Sequence, residues 1–292
     1  MQINSDQAIS RLKLYAELVR FERPIGSYLL LWPTLWTLAI AGEGSPDGWV
    51  LFVFVSGVFL MRSAGCAIND YADREIDLHV VRTRQRPLTT GRITPREALA
   101  VFAVLALLAF LLVMTTNALT ITLSFIGLAL AASYPFMKRY HYLPQVHLGA
   151  AFGWAVPMAW AAQTGELSPI AWLLYTANLL WTVAYDSIYA MVDREDDLKI
   201  GVKSTAILFG DADRVVIAML QGLFVLAMIM VGVNLEFSGY YFAGLVVAVV
   251  LLAYQQAMIF HRLPDYCFAA FLHNNWVGAA VFFGIMAHYY LA

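Results

Sequence analysis

The sequence has few charged residues for its length. Asp, Glu, Lys and Arg make up 13% of its 292 residues, whereas a soluble domain carries about 25%. Hydrophobic residues make up 61%. Apolar runs of about 20 residues, the length that crosses a bilayer, follow one another with only short polar breaks between them. The composition therefore excludes an ordinary soluble domain and predicts an all-α integral membrane protein.

Cysteine is nearly absent, and several common site motifs are missing. Cys66 and Cys267 are the only cysteines, and their spacing indicates neither a disulfide framework nor a zinc or redox site. The six histidines form no HExxH pair, and no glycine-rich loop is followed by Lys-Ser or Lys-Thr. The chain thus lacks the sequence signatures of zinc peptidases and of P-loop nucleotide binding.

Nine apolar segments are predicted to span the membrane. Their approximate bounds are 24–42, 49–69, 97–115, 118–136, 143–162, 169–190, 213–233, 239–260 and 268–290. All lysines and arginines except Arg62 precede the first segment or follow segments two, four, six and eight. The positive-inside rule makes that side cytoplasmic. We therefore expect a cytoplasmic N-terminus and a C-terminus on the far side.

The residues before the first span form a separate short segment, 1–23. Between Ile9 and Phe21, apolar residues alternate with charged ones. This pattern is typical of a helix that lies in the membrane interface, although a simple cytoplasmic extension would also account for it. We treat the rest of the chain, and this segment with it, as a single domain, 1–292.

Two clusters of acids follow the second and the sixth apolar segments. In the first cluster, Asn69, Asp73 and Asp77 are spaced four and four, so a continuing helix would stack them on one face. In the second cluster, Asp193 and Asp197 repeat this spacing. Carboxylates beside membrane helices are costly and usually mark a functional site.

This arrangement indicates a metal and diphosphate site. Magnesium prefers one or two carboxylates together with phosphate oxygens, and two facing clusters would supply them. A plain alternative is that the acids merely solvate the helix ends, but two matching clusters on one face of the membrane argue against it.

Cationic and aromatic residues accompany the clusters. The candidate binders of the diphosphate oxygens are Arg86, Lys138, Arg139 and Lys203. Tyr189 lies between Asp186 and Asp193 at helical spacing, which makes it our candidate to face an allylic cation. Arg62 is the single basic residue within a span, and we expect it to pair inside the bundle, with an acid of the site as one option.

Taken in order, these motifs resemble the UbiA-type intramembrane prenyltransferases. The similarity runs from Arg23-Pro24-Ile25-Gly26 to the last span. It rests on four motifs, which are Asn69-Asp70-x-x-Asp73-x-x-x-Asp77, Arg86-Pro87-Leu88, Tyr134-Pro135-x-x-Lys138-Arg139, and Tyr185-Asp186-x-x-Tyr189 continued by Asp193-x-x-Asp196-Asp197 and Gly201-x-Lys203-Ser204-Thr205. The most similar branch prenylates 4-hydroxybenzoate in bacterial ubiquinone biosynthesis.

The resemblance implies nine helices around a central cavity that opens to lipid, in the bacterial inner membrane. It implies a polyprenyl diphosphate donor, 4-hydroxybenzoate as acceptor and Mg²⁺ held by Asn69, Asp73, Asp77, Asp193 and Asp197. It places Lys138 and Arg139 at positions that bind the diphosphate or the aromatic carboxylate. Tyr189 replaces an acid that other branches carry. We expect lipid contact, no nucleic-acid partner and no obligate protein partner.

The residues would have the following chemistry. Ionisation of the allylic C–O bond gives a cation that attacks the ring carbon ortho to the phenol oxygen, and Asp186 is the candidate to polarise the phenol or take the ring proton. Other aromatic acceptors, such as a naphthoate, homogentisate or a haem precursor, stay open on physical grounds. A cation-coupled transporter would place its acids near the membrane midplane, whereas here they crowd one face.

Overall fold

The computed structural model describes residues 5–292, with side chains from residue 11 onward. Within this part, thirteen α-helices account for most residues and there is no β-strand. They are α1 Ser5–Leu18, α2 Ile25–Ala41, α3 Gly48–Asp73, α4 Pro95–Val113, α5 Ala118–Ser133, α6 Pro144–Gly153, α7 Ala155–Thr164, α8 Pro169–Val192, α9 Arg194–Ile200, α10 Thr205–Phe209, α11 Asp213–Asn234, α12 Gly239–Met258 and α13 Pro264–Leu291. The prediction of an all-α fold is confirmed.

Six helical stretches of the described chain are long and apolar enough to cross a membrane. They are Gly48–Asp73, Pro95–Val113, Ala118–Arg139, Thr205–Asn234, Gly239–Met258 and Pro264–Leu291. Helix α2 is apolar but shorter, at 17 residues. Helix α8 has 24 residues, and half of them are buried inside the bundle. The chain is thus an integral membrane protein, whereas the count of nine spans stays a prediction.

The predicted span 143–162 is divided into two short helices. Helix α6 ends at Gly153 and α7 begins at Ala155. Pro157 explains this break, because proline has no N–H to donate and its ring crowds the carbonyl four residues earlier, which belongs to Gly153. Each piece has ten residues, so neither crosses a bilayer alone.

Helix α1 lies against α3 and the start of α4. Leu18 is fully buried beside Ala67 and Ala98, and Arg11 forms an ion pair with Glu97 at 3.1 Å. The segment is therefore helical and bound to the bundle, ending at Leu18 rather than at Phe21. Its place in the membrane interface stays a prediction, and residues 1–4 of the predicted segment lie outside the described residues.

The core is built on aromatic side chains of the central helices. The Trp181 ring of α8 stacks on Phe224 of α11 at 5.8 Å between centroids and packs against Trp36 of α2. The indole N–H of Trp36 donates to the Gly278 carbonyl at 3.0 Å, and that of Trp181 donates to Asn274 Oδ1 at 2.9 Å. These bonds satisfy the indoles inside the apolar core and tie α2 and α8 to α13.

Helices α12 and α13 approach very closely where two glycines meet. A Cβ on Gly244 would lie 2.7 Å from Gly284 Cα and 2.9 Å from the Ala280 carbonyl oxygen. Small residues allow such backbone contact, which is a main source of helix association within lipid. The pair thus fixes α13, whose first turns line the cavity described below.

A buried ion pair fixes the segments around the second acidic cluster. Asp213, at the start of α11, is fully buried, and Arg262 donates to both of its oxygens at 2.8 to 3.1 Å. Arg194 of α9 lies 3.6 Å from the same carboxylate. Asp213 therefore joins α9 and the loop before α13 to α11.

We expect Asp213→Asn to destabilise the protein by about 3 kcal/mol, because Arg194 and Arg262 would lose their shared negative charge. The thermal unfolding midpoint in detergent should fall by about 5 to 10 °C. The matched control is Asp211→Asn, which changes an exposed acid two residues away and should leave the midpoint unchanged. An equal shift in both variants would contradict this account.

Candidate functional site

A cavity of about 510 Å³ opens at the end of the bundle where α3 and α8 finish. Its walls come from α2, α3, α6, α8 and α13, and from residues 76–87 and 202–204. The structure brings most of the predicted site residues to this cavity. They are Asn69, Asp73, Asp77, Arg86, Lys138, Asp186, Tyr189, Asp193, Asp197 and Lys203.

The first acidic cluster is assembled differently from the expected single helix. Helix α3 ends at Asp73, and Asp77 begins a separate short 3-10 turn, Asp77–His79. The continuous helix through Asp77 was therefore wrong. Like charges four residues apart disfavour such a helix, and Arg86 from the following loop instead holds Asp77 at 2.7 Å.

Asp70 belongs to the cavity wall, although the helical spacing put it to one side. It is 2% exposed, and its Oδ1 accepts hydrogen bonds from Arg20 at 2.8 Å and from Arg86 at 3.0 Å. Arg86 also holds Asp77, so one guanidinium joins two acids of the cluster. The buried charges are thus compensated within the group.

Asp73 is compensated by a cation from a distant segment. Lys138 Nζ lies 2.7 Å from Asp73 Oδ2, and Lys138 belongs to the 3-10 turn Tyr134–Arg139 that follows α5. The other oxygen, Asp73 Oδ1, is buried without a hydrogen-bond partner. An unpaired buried carboxylate oxygen is rare and is typical of a ligand position.

The second cluster keeps its helical spacing in a new helix. Helix α8 ends at Val192, and Asp193 precedes the first residue of α9, where its carbonyl accepts the Asp197 N–H at 2.9 Å. Arg82 holds the Asp193 carboxylate at 2.5 Å. Burial and the neighbouring Asp193 carboxylate raise the pKa of Asp197 to about 7. Added positive charge at this cluster would therefore favour the ionised form of Asp197.

Tyr189 lies in an aromatic wall between the two clusters. Its ring is 4.6 Å from the Phe271 ring and 6.2 Å from the Phe268 ring, both of α13. The Arg82 guanidinium lies over the Tyr189 ring at 4.9 Å. Asp186 lines the same cavity one to two turns deeper on α8. Ring faces here can stabilise positive charge.

Arg139 is the one predicted site residue that the structure does not bring to the cavity. Its guanidinium donates to the Ala72 carbonyl and lies 5.6 Å from the centre of the Phe136 ring. Lys138, its neighbour, points to Asp73 instead. A role for Arg139 in contacting a ligand stays a prediction, and its observed contacts brace the end of α3.

Arg20 is a site residue that the sequence did not indicate. It follows α1 with a φ of 57°, in the left-handed region that non-glycine residues seldom adopt. This backbone turn brings its guanidinium into the cavity and onto Asp70. Fifty residues separate the pair, so only the tertiary packing of α1 on α3 reveals it.

The residues fit a divalent metal bound together with a diphosphate. Among residues 5–292, no three acids, histidines or cysteines converge closely enough to hold a metal by themselves. Magnesium seldom requires such a cage, since it takes one or two carboxylates and completes its shell with water and phosphate oxygens. The orphan oxygen of Asp73 and the two facing clusters provide that donor set.

A second cavity, of about 160 Å³, continues from the first between α3, α4, α5 and α7. Arg62, Tyr134 and Phe152 line both cavities. Almost all other side chains around it are apolar, and Phe125 and Leu128 lie exposed on its outer side. The charged cavity thus leads into an apolar space at the lipid-facing surface.

We expect Asp70→Asn to loosen the loop after α3, because Arg20 and Arg86 would lose about 1.5 kcal/mol or more of charged hydrogen bonding. Trypsin cleavage after Arg82 and Arg84 should become about tenfold faster. Glu75→Gln is the control, since Glu75 is an exposed acid of the same loop. Unchanged cleavage in Asp70→Asn would show that Asp70 does not hold this loop.

Comparison with known proteins gives one consistent family. The model of the UbiA prenyltransferase family matches residues 30–283. A protein of Ectopseudomonas mendocina (strain ymp) named 4-hydroxybenzoate octaprenyltransferase is 61% identical over 277 residues, which cover 95% of this chain and 94% of that relative.

Solved structures share the fold. The apo structure of a UbiA homolog from Aeropyrum pernix K1 has a TM-score of 0.77 at 26% identity, covering 87% of this chain and 96% of that one. A UbiA homolog from Archaeoglobus fulgidus bound to GPP and Mg²⁺ has a TM-score of 0.69 at 19% identity, covering 92% and 99%.

Proposed function

Because this chain belongs to the UbiA prenyltransferase family, we propose that it transfers a polyprenyl group to 4-hydroxybenzoate. The donor is a polyprenyl diphosphate, and the acceptor atom is the ring carbon ortho to the hydroxyl, as ubiquinone biosynthesis requires. The E. mendocina relative carries the name of this activity over almost its whole length.

One observation carries the proposal, which is that two acidic clusters and their cations face one cavity. Asp73 and Asp77 line it from the end of α3, and Asp193 and Asp197 line it from the end of α8. Lys138, Arg86 and Arg82 already touch these carboxylates at 2.5 to 2.7 Å. A diphosphate with divalent cations matches such a mixed set of acids and bases.

Magnesium is the metal we propose, held by Asn69, Asp73, Asp77, Asp193 and Asp197. The A. fulgidus homolog was solved with GPP and Mg²⁺, and the orphan Asp73 oxygen supports a ligand at this position. Bound there, the metal would neutralise the diphosphate and make it a better leaving group.

The cationic side chains would take up the diphosphate oxygens that the metal leaves free. Lys138, Arg86 and Lys203 line the cavity for this role. Lys203 Nζ now donates only to the Tyr140 carbonyl, at 3.0 Å, so it is available to an anion. These groups hold the leaving group as the allylic C–O bond breaks.

The deeper residues act on the carbocation and on the acceptor ring. Tyr189 and Phe271 present ring faces to the allylic cation, and the surrounding bundle keeps out water that would otherwise capture it. A C–C bond then forms to the ring, and Asp186 polarises the phenol or accepts the displaced ring proton.

We expect Asp73→Ala and Asp193→Ala each to lower product formation by at least about 100-fold, because each removes a carboxylate from one face of the diphosphate site. The assay incubates membranes with a polyprenyl diphosphate, Mg²⁺ and radiolabelled 4-hydroxybenzoate, and counts lipid-extractable label. Glu195→Gln is the control, since Glu195 is an exposed acid between the two catalytic candidates of α9.

Two results would reject the proposal. The first is an active membrane preparation in which either alanine variant keeps its full rate. The second is wild-type protein that forms no labelled lipid from 4-hydroxybenzoate but prenylates a naphthoate or homogentisate, which would assign a different acceptor.

The protein would lie in the bacterial inner membrane with the site facing the cytoplasm. The basic loops lie on the same side as the acidic clusters, and the positive-inside rule makes that side cytoplasmic.

We expect Glu166→Cys, in the exposed turn between α7 and α8, to react with a membrane-impermeant maleimide on intact cells whose outer membrane has been permeabilised. Glu195→Cys in α9 should react only after the inner membrane is opened. Both native cysteines are buried, so background labelling should be low. The reverse pattern of labelling would invert the orientation.

A further inference from the structure

Arg62 lies in the middle of α3 and lines both cavities. Among the side chains described, from residue 11 onward, no carboxylate lies within ion-pair distance of it. The expected pairing of Arg62 with an acid of the site is therefore absent in this part of the chain. Its guanidinium instead packs against Gly26 of α2 and donates to Cys66 Sγ, and a thiol is a weak acceptor.

This situation differs from that of the other cations at the charged cavity. Arg20, Arg82, Arg86 and Lys138 all touch a carboxylate at 3.0 Å or less. A cation in a membrane helix without a counter-ion is costly. The cost is recovered when an anionic ligand reaches it, which makes Arg62 a candidate anion-binding residue.

The depth of Arg62 separates it from the diphosphate site. It precedes Asn69 by seven residues and Asp73 by eleven, which places it about 10 Å and 16 Å further along α3 at 1.5 Å per residue. The diphosphate held by Asp73 and its neighbours cannot span that separation. The anion for Arg62 must therefore belong to another part of the substrates.

A carboxylate lies at the same depth on the opposite wall. Asp186 of α8 precedes Asp193 by seven residues, the same offset that separates Arg62 from Asn69. Asp186 lines the charged cavity, and no ion pair to it occurs among the described side chains. Beside it, the buried Tyr185 hydroxyl has no hydrogen-bond partner. The cavity at this level thus offers one cation on α3 and polar acceptors on α8.

We propose that Arg62 binds the carboxylate of the aromatic acceptor, while Asp186 accepts a hydrogen bond from the phenol hydroxyl at the other end of the ring. This inference rests on the proposed function and assigns the acceptor subsite within it. The molecule that fits is an aromatic acid with a hydroxyl opposite its carboxylate. Held at both ends, its ring lies below the diphosphate and against the Tyr185 and Tyr189 side of the cavity.

This subsite explains how the acceptor would be selected. A guanidinium that pairs with carboxylate rejects an uncharged analogue, because its buried charge would then remain unpaired. Anchoring of the carboxylate also sets which ring carbon faces the donor, since the hydroxyl is fixed opposite to it. Arg62 would thus be a specificity-determining residue that contacts the acceptor and not the donor.

The test compares 4-hydroxybenzoate with 4-hydroxybenzamide, a neutral analogue of nearly the same shape. Wild-type protein should prefer the acid by about 100-fold in kcat/KM. Arg62→Gln should lower kcat/KM for the acid by about 100-fold, change that for the amide by less than about threefold, and leave the KM of the donor unchanged. Arg62→Lys, which keeps the charge, should recover part of the preference for the acid.

Arg74→Gln serves as the matched control, because Arg74 ends the same helix, contacts Tyr71 and Glu75, and does not line the cavity. Equal losses for acid and amide in Arg62→Gln, or a raised KM for the donor, would overturn the inference. Should Arg62→Gln fail to fold, wild-type protein that uses the amide as well as the acid would overturn it too. Absence of any product from wild-type protein and 4-hydroxybenzoate would instead reject the proposed function.

Discussion

The pairing of carboxylates with cations from distant segments is the interaction on which this site depends. Asp73, Asp77 and Asp193 each touch a cation, and the three cations come from the turn after α5 and from the loop after α3. A bundle in lipid cannot leave several like charges uncompensated at one end. The same contacts that make the acids tolerable therefore also assemble the cavity.

This compensation has a consequence for binding. Lys138, Arg86 and Arg82 neutralise the acids in the structure described here, and they are also the groups that a diphosphate would attract. A metal-bound diphosphate brings positive and negative charge together, so carboxylates and cations can exchange partners without leaving a net charge behind. The site is thus close to electrically balanced both with and without its ligands.

The charges also divide the cavity by depth. The outer layer holds most of the acids and their cations, the next holds Arg62, Asp186 and the aromatic wall, and the apolar second cavity begins at Arg62. These layers match a diphosphate, an aromatic acid and an isoprenoid chain in turn. A single bundle can therefore sort three chemically different groups by their distance from its charged end.

The sequence predicted the helices and most of the site because those signals are local. Apolar length, basic loops and four-residue spacing identified the acids at the ends of α3 and α8. The contacts of Asp70 with Arg20 and of Arg82 with Asp193 join residues 50 and 111 positions apart, so no local pattern reveals them. The end of α3 at Asp73 escaped prediction for the same reason, since Arg86 draws Asp77 away from the helical path. Tyr189 shows what such long-range contacts change. It stands where a further acid was one option, yet its ring supports Arg82, which in turn holds Asp193. A carboxylate there would compete with Asp193 for that guanidinium, whereas the tyrosine leaves the ion pair intact and adds a ring face to the cavity.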